Sequence, residues 1–92
     1  MKIEMKYSFK AIKELLELTN STLENVGELT KDLKNIAIIA HVGNKHAGGN
    51  LTIEQIEEHF DNSDFNEVLQ IVTEFGNQVS TYFTPNSSSQ AQ

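Results

Sequence analysis

The sequence predicts a mainly α-helical protein: a small compact bundle of about four helices with one short N-terminal β-strand and a disordered C-terminal tail. Several segments carry apolar residues at helical spacing, and breaks rich in Gly, Asn and Asp separate them. Residues 36–42 are apolar on almost every side, with His41 as the one polar side chain, and such a helix is normally buried. We therefore expect one domain over residues 1–84, organised around this helix, and a polar tail over residues 85–92.

The N-terminal residues 2–7 alternate between polar and apolar side chains, with Ile3, Met5 and Tyr7 on one face. This period of two predicts a half-buried strand, and a lone strand needs a partner for its backbone hydrogen bonds. Two arrangements remain open. In one, the strand pairs with the same strand of a second copy, so that Ile3, Met5 and Tyr7 contribute to self-association. In the other, residues 2–7 form an extended arm that packs on the helices without a ladder.

The first helix is predicted to begin after Ser8, whose hydroxyl can accept a backbone N–H, and to end at Thr19-Asn20. Its apolar face is expected to consist of Phe9, Ile12, Leu15, Leu16 and Leu18. The sequence Ser-Thr-Leu-Glu at residues 21–24 matches a capping box. It predicts a single turn over residues 22–26, interrupted at Gly27.

The central helix is predicted over residues 28–42. Gly43 is expected to end it, because Gly most easily adopts the left-handed conformation found at helix C-termini. The main loop follows over residues 43–50. This helix carries more apolar surface than the shorter helices can cover, so we expect Ile38, Ile39 and Val42 to line a partner or subunit contact as well as the core.

The last two helices have clear start signals. Thr52 and Gln55 match a capping box, and residues 61–64, Asp-Asn-Ser-Asp, separate the two helices. The last helix is predicted over residues 64–82, with Pro85 as its stop. Its inner stripe is predicted to consist of Phe65, Val68, Leu69, Val72, Phe75, Gly76, Val79 and Phe83. Ile71 lies off this stripe.

The charges are distributed unevenly along the chain. The first 45 residues hold seven Lys and six acidic residues, whereas residues 46–92 hold seven acidic residues and no Lys or Arg, so the formal charges are +1 and −7. The absence of Arg and of a basic stripe argues against nucleic-acid binding. The acidic half is either a solvated surface or a face that meets a basic partner, including the Lys-rich half of a neighbouring copy.

The candidate sites for chemistry are weak. The chain has no Cys, His41 and His46 are five residues apart rather than the four of a zinc helix, and residues 61–72 lack the ligand pattern of a calcium loop. Glu57 and Glu58 are adjacent, so they point about 100° apart on a helix and cannot act as an acid–base pair. His41 is expected to make one hydrogen bond within the core and His46 to lie on the loop surface. We expect no enzyme activity, no metal and no cofactor, no apolar run long enough to cross a bilayer, and a function in protein binding.

Four stretches, taken in order, resemble the small tail assembly chaperones of long-tailed bacteriophages. They are KYSFKAIKELLEL, DLKNIAIIAHVG, LTIEQIEEHFDN and FNEVLQIVTEFGNQV, and together they lie within residues 2–82. The resemblance implies a mainly helical, homo-oligomeric and non-enzymatic chaperone. It also implies that the partners are the tape-measure protein and the tail tube protein, with no nucleic acid, membrane or small-molecule substrate.

Such chaperones hold the tape-measure protein in the cytoplasm of the bacterial host and leave before the virion is complete. The alternative is a small protein-interaction or regulatory module, such as an anti-repressor or an accessory subunit.

Overall fold

The computed structural model describes residues 3–88, with side chains described for residues 3–80. The chain is mainly helical, as predicted, but residues 3–88 form five helical segments rather than about four. They are α1 (Phe9–Thr19), a 3₁₀ helix (Leu23–Lys31), α2 (Leu33–His46), α3 (Ile53–Asp61) and α4 (Phe65–Ser88). Within the described residues, no helix is long and apolar enough to cross a membrane.

The central position of α2 is confirmed, because α2 packs against each of the other four helical segments. Ile39, Ala40 and Val42 have no exposed surface. The same core includes Leu15 of α1, Ile56 of α3 and buried residues of α4. A helix that is apolar on nearly every side is thus covered on nearly every side.

The predicted boundaries of α1 are confirmed, and local chemistry explains them. The Ser8 hydroxyl accepts the N–H of Ala11 at 3.2 Å, and Asn20 ends the helix in the left-handed conformation, with φ of 54°. The predicted face is wrong at its two ends. Phe9 is 75% exposed and Leu18 is 52% exposed.

The segment between α1 and α2 differs from the prediction. The expected single turn is a continuous 3₁₀ helix that passes through Gly27, and its N-cap residue, Thr22, makes no side-chain capping bond. The buried side chain of Leu29 anchors this segment to the core. Helix α2 begins only at Leu33, because Asp32 is extended and its carboxylate accepts the N–H of Lys34 at 3.0 Å. Residues 28–31, predicted to start the central helix, therefore belong to the 3₁₀ helix.

Gly43 does not end α2, which continues to His46; the left-handed residue is Gly48, with φ of 96°. Gly43 is instead buried inside the helix beneath the N-terminal residues. A Cβ at this position would lie 2.5 Å from Cζ of Tyr7 and 2.8 Å from Cβ of Met5. The absence of a side chain at residue 43 is what permits this close approach.

The predicted N-terminal strand is wrong: the described residues contain no strand. Residues 3–8 are extended and pack against the helices without a ladder, which is the second arrangement left open by the sequence. The predicted alternation of faces is nevertheless correct. Ile3 and Tyr7 are 8% and 3% exposed, Met5 is half-buried, and Glu4 and Lys6 are exposed. We call residues 3–7 the arm.

The capping box of α3 is confirmed in full. The Thr52 hydroxyl accepts the N–H of Gln55 at 3.1 Å, and the Gln55 side chain accepts the N–H of Thr52 at 2.9 Å. Helix α3 ends at Asp61, and the carboxylate of Asp64 accepts the N–H of Asn66 at 3.0 Å where α4 begins.

Helix α4 is rotated relative to the prediction. Its buried residues are Val68, Ile71, Phe75 and Val79. Ile71, expected off the stripe, is in the core, whereas Phe65 and Leu69 are 62% and 49% exposed. The rotation follows from packing, because Phe75 meets the ring of Tyr7 and Ile71 belongs to the same buried cluster as residues of α2 and α3.

The end of α4 also differs from the prediction. The helix continues to Ser88 instead of ending near residue 82, so Pro85 lies within it. Because Pro has no backbone N–H, the turn that contains Pro85 lacks one helical hydrogen bond. The side chain of Phe83, which was predicted for the inner stripe, and residues 89–92 of the predicted tail lie outside the described residues.

Candidate functional site

A groove of about 1230 Å³ lies between the arm and α4. One wall is formed by residues 3–6 of the arm, the other by residues of α4 from Asn66 to Gln78, and Ala47 lies at the end of α2. The side chains that line it are mainly polar, and three of them are acidic: Glu4, Glu67 and Glu74. We call it the arm groove.

The side chain of Gln78 hydrogen-bonds the backbone of the arm to α4. The Tyr7 N–H donates to Oε1 of Gln78 at 2.9 Å, and Nε2 of Gln78 donates to the Met5 carbonyl at 3.0 Å. The amide of Gln78 therefore bonds the extended backbone as a residue of a neighbouring strand would. Nε2 of Gln78 also lies 2.7 Å from a carboxylate oxygen of Glu74, one turn earlier on α4, which accepts from it.

The other edge of the arm is held by the end of α2. The Lys6 N–H donates to the Gly43 carbonyl at 2.9 Å, and Nδ2 of Asn44 donates to the Glu4 carbonyl at 3.1 Å. Asn44 is 7% exposed, and its Oδ1 accepts the N–H of Leu51 at 3.1 Å. This buried amide thus ties the arm, the end of α2 and the following loop together, and burial is acceptable because its polar atoms are bonded.

Tyr7 fixes the inward face of the arm. Its hydroxyl donates to the Ile39 carbonyl at 2.6 Å, and its ring meets Phe75 edge-on, with ring centroids 5.0 Å apart. Burial, followed by the nearby charge of Glu74, raises the pKa of Tyr7 well above its ordinary value. The hydroxyl is therefore a hydrogen-bond donor in the core rather than an acid.

A second feature is a row of residues along one side of α4, formed by Phe65, Leu69, Val72 and Gly76. Their spacing of four, three and four residues places them on one side of the helix. The side chains of Phe65 and Leu69 are 62% and 49% exposed. Val72 is half-buried, and Gly76 is exposed. We call this row the outer stripe; Leu69 also lines the arm groove.

The residues predicted to form contacts lie in other places. Ile3, Met5 and Tyr7 cover the core of their own chain, which removes the unpaired strand from which self-association was inferred; the oligomeric state itself stays a prediction. Ile39 and Val42 are fully buried, and Ile38 is half-buried against the core. Ile3 and Met5 do line the arm groove, whereas none of the six predicted residues belongs to the outer stripe.

The histidines take part in helix contacts. Nδ1 of His41 donates to the Leu51 carbonyl at 2.9 Å, which confirms the single expected bond. His46 is not a loop residue: it is the last residue of α2, and its Nε2 lies 2.8 Å from a carboxylate oxygen of Glu14. His59 pairs with Glu67 at 3.0 Å. Within the part of the chain that the structure describes, no cluster of three His, Asp or Glu side chains could hold a metal ion.

The outer stripe was missed because its residues were assigned to the core. A signal was nevertheless present: Ile71, a large aliphatic residue, lay outside the predicted inner stripe, so α4 carries apolar residues on more than one side. The roles of Gln78 and Asn44 in holding the arm gave no signal in the sequence, because their bonds to the arm join residues at least 40 positions apart.

No protein-family model, no curated protein and no solved structure matches the chain.

Proposed function

We propose that the chain is a non-enzymatic tail assembly chaperone of a long-tailed bacteriophage. It binds the tape-measure protein in the cytoplasm of the host, keeps it soluble while the tail tube assembles, and is absent from the mature virion. The observation that carries the proposal is the outer stripe, with Phe65 and Leu69 exposed on the longest helix of a chain of formal charge −6.

The outer stripe supplies the contact that a holding chaperone needs. Large apolar side chains grouped on one side of a helix mark a surface that gains free energy when a partner covers it. Full burial of one such side chain contributes about 1.5–3 kcal/mol of binding free energy. Because Phe65 and Leu69 are only about half exposed in the free chain, covering each of them with a partner contributes about 1 kcal/mol or more. The net negative charge keeps complexes of this kind soluble through mutual repulsion.

The resemblance in the sequence supports the same function. The stretch DLKNIAIIAHVG starts at the N-cap Asp32 and lies in α2, and LTIEQIEEHFDN contains the capping box and all of α3. Each of the four quoted stretches thus falls on a different α-helix, and LTIEQIEEHFDN is the one that spans its helix completely. From this resemblance we also propose that the chain assembles into a homo-oligomer.

The test is co-expression with a phage tape-measure protein, which the proposal expects to be encoded beside this chain. We expect the wild-type chain to raise the soluble fraction of the tape-measure protein, and Phe65→Ser/Leu69→Ser to lose most of this effect. The matched control is Leu23→Ser/Leu33→Ser, which replaces two side chains that are 53% and 67% exposed on other segments. If the wild-type chain leaves the solubility unchanged, the proposed function is wrong.

A further inference from the structure

We propose that the arm groove binds a Lys- or Arg-rich helical segment of the protein client. The inference rests on the proposed function in one respect, namely that the molecule bound is a protein. It concerns a different surface, the charged arm groove rather than the apolar outer stripe. Four observations carry it: the charge of the two walls, the nature of the floor, the length of the α4 wall and the charge of the rest of the chain.

The two walls of the arm groove both carry carboxylates. Glu67 and Glu74 are seven residues apart on α4, so they lie on the same side of the helix about 10 Å apart along its axis. Glu4 lies on the arm wall, with Lys6 as the one cationic lining residue among those described. A cationic side chain in the groove can therefore meet acidic groups from either wall, and a second acidic group lies two turns further along.

The floor of the groove suits long cationic side chains. Ile3 and Ile71 line it but are only 8% and 6% exposed, so they offer a narrow apolar strip rather than a deep apolar pocket. The aliphatic stem of a Lys or Arg can lie along such a strip while its charged end reaches a carboxylate at the rim. The polar side chains of Gln70 and Thr73 offer further acceptors along the α4 wall.

The length of the groove sets the size of the occupant. The α4 wall extends from Asn66 to Gln78, which is about 18 Å of helix at about 1.5 Å per residue. A helical wall of this length matches about three turns of a partner helix, with cationic residues about two turns apart opposite Glu67 and Glu74.

The charge of the chain favours a separate protein over a second copy. The first 45 residues have a formal charge of only +1. Lys31 and Lys45 already pair with Glu28 and Glu14 of their own chain, at 3.3 Å and 2.8 Å. Five Lys remain, but they belong to a half of the chain whose formal charge is only +1, so we assign the basic segment to a different protein.

The test measures the binding of a labelled helical peptide of about three turns, with Leu on one side and Lys on the others, by fluorescence anisotropy. The variant Glu67→Gln/Glu74→Gln removes both charges but keeps the acceptor oxygens that face His59 and Gln78. The control Glu57→Gln/Glu58→Gln removes the same charge from the exposed side of α3. Circular dichroism checks that each variant is folded.

We expect the groove variant to weaken binding of the Lys peptide by about threefold or more, from the loss of two charge pairs. The control should change it by less than about twofold. Binding should weaken with added salt, and a peptide with Glu in place of every Lys should not bind. Equal binding by the groove variant and the control overturns the inference. So does a light-scattering result in which the groove variant dissociates an oligomer of the wild-type chain, because the groove is then an interface between copies.

Co-expression separates this inference from the proposed function. If the wild-type chain solubilises the tape-measure protein and the groove variant does so equally well, the groove inference is wrong and the chaperone function stands. If both the wild-type chain and the groove variant fail in co-expression but bind the Lys peptide with the expected difference, the chaperone function is wrong and the groove still has the stated specificity.

Discussion

Tyr7 lies directly over Gly43, so close that residue 43 has no room for a side chain. A methyl group there would lie 2.5 Å from Cζ of Tyr7. The ring of Tyr7 cannot easily give way, because its hydroxyl is bonded to the Ile39 carbonyl and its edge is packed on Phe75. The arm and α2 therefore fit together only when residue 43 is Gly.

Gly43→Ala should lower the free energy of unfolding by about 1–3 kcal/mol, the usual effect of adding a methyl group to a filled core. Gly76→Ala is the matched control, since Gly76 lies in α4 and a Cβ there would meet nothing within 4 Å. That control should raise the free energy of unfolding by about 0.5–1 kcal/mol, because Ala favours a helix more than Gly does. Chemical denaturation measures both, and equal effects would contradict the close packing of Tyr7 on Gly43.

Gln78→Ala should release the arm from α4 without unfolding the helices. The change removes the acceptor of the Tyr7 N–H and the donor to the Met5 carbonyl, and bonds of this kind contribute about 0.5–1.5 kcal/mol each. Hydrogen exchange should therefore be faster at the Tyr7 amide than in the wild-type chain, whereas amides in the middle of α2 stay protected. Gln70→Ala, an exposed change on the same helix, serves as the control and should leave the Tyr7 amide unaffected.

Replacement of Glu14 should alter the pH dependence of stability. Hydrogen bonds from Lys45 and His46 hold the pKa of Glu14 below its ordinary value. Because the pKa is lower in the folded chain than in the unfolded chain, this contribution is present above the ordinary value of about 4.5. It is lost as the pH falls through the folded value.

Glu14→Gln should therefore reduce the free energy of unfolding by about 1 kcal/mol or less at neutral pH. The difference from the wild-type chain should disappear in acid. Glu17→Gln removes the same charge from the exposed side of α1 and is the control. If Glu14→Gln still lowers the free energy of unfolding by the same amount in strong acid, the interactions of Glu14 with Lys45 and His46 are not the cause of the effect.

Ile39 tests whether α2 is internal. Ile39→Asp should abolish folding, since the residue is 0% exposed and an unpaired charge there would be buried. Ile39→Ala should retain the fold but lower the free energy of unfolding by about 2–5 kcal/mol. Ile38→Ala should have a smaller effect, because Ile38 is only half-buried. A folded Ile39→Asp monomer that has lost a native assembly would instead place Ile39 at a subunit contact.

Features set by neighbouring residues could be predicted from the sequence. Ser8 and the Thr52–Gln55 pair cap helices through bonds within four positions, and their residue types show this directly. The burial of α2 was predictable because the helix is apolar on nearly every side, so no side of it is suited to contact with water. The boundary between Leu29 in the 3₁₀ helix and Asp32 at the start of α2 was harder to predict, since a 3₁₀ helix and an α-helix share similar spacing over a few residues.

Features set by distant residues could not be predicted. The choice between Ile71 and Leu69 as the inner residue of α4 depends on where α2 lies, because the two side chains fit overlapping stripes with the same period. The role of Gly43 depends on Tyr7, which is 36 positions earlier. The alternation of the arm correctly predicted which residues face inward, but not that side chains and the end of a helix would replace a neighbouring strand.

The Gln78 amide has a consequence for aggregation. An extended segment with a free edge is a template on which other chains can add strands. Along residues 4–7, bonds to Gly43 and Asn44 occupy one edge of the backbone, and the bonds to Gln78 occupy the other. The side chain of Gln78 thus occupies hydrogen-bonding groups to which a strand of another chain could otherwise pair. The protected segment is the one with the clearest alternating pattern in the sequence.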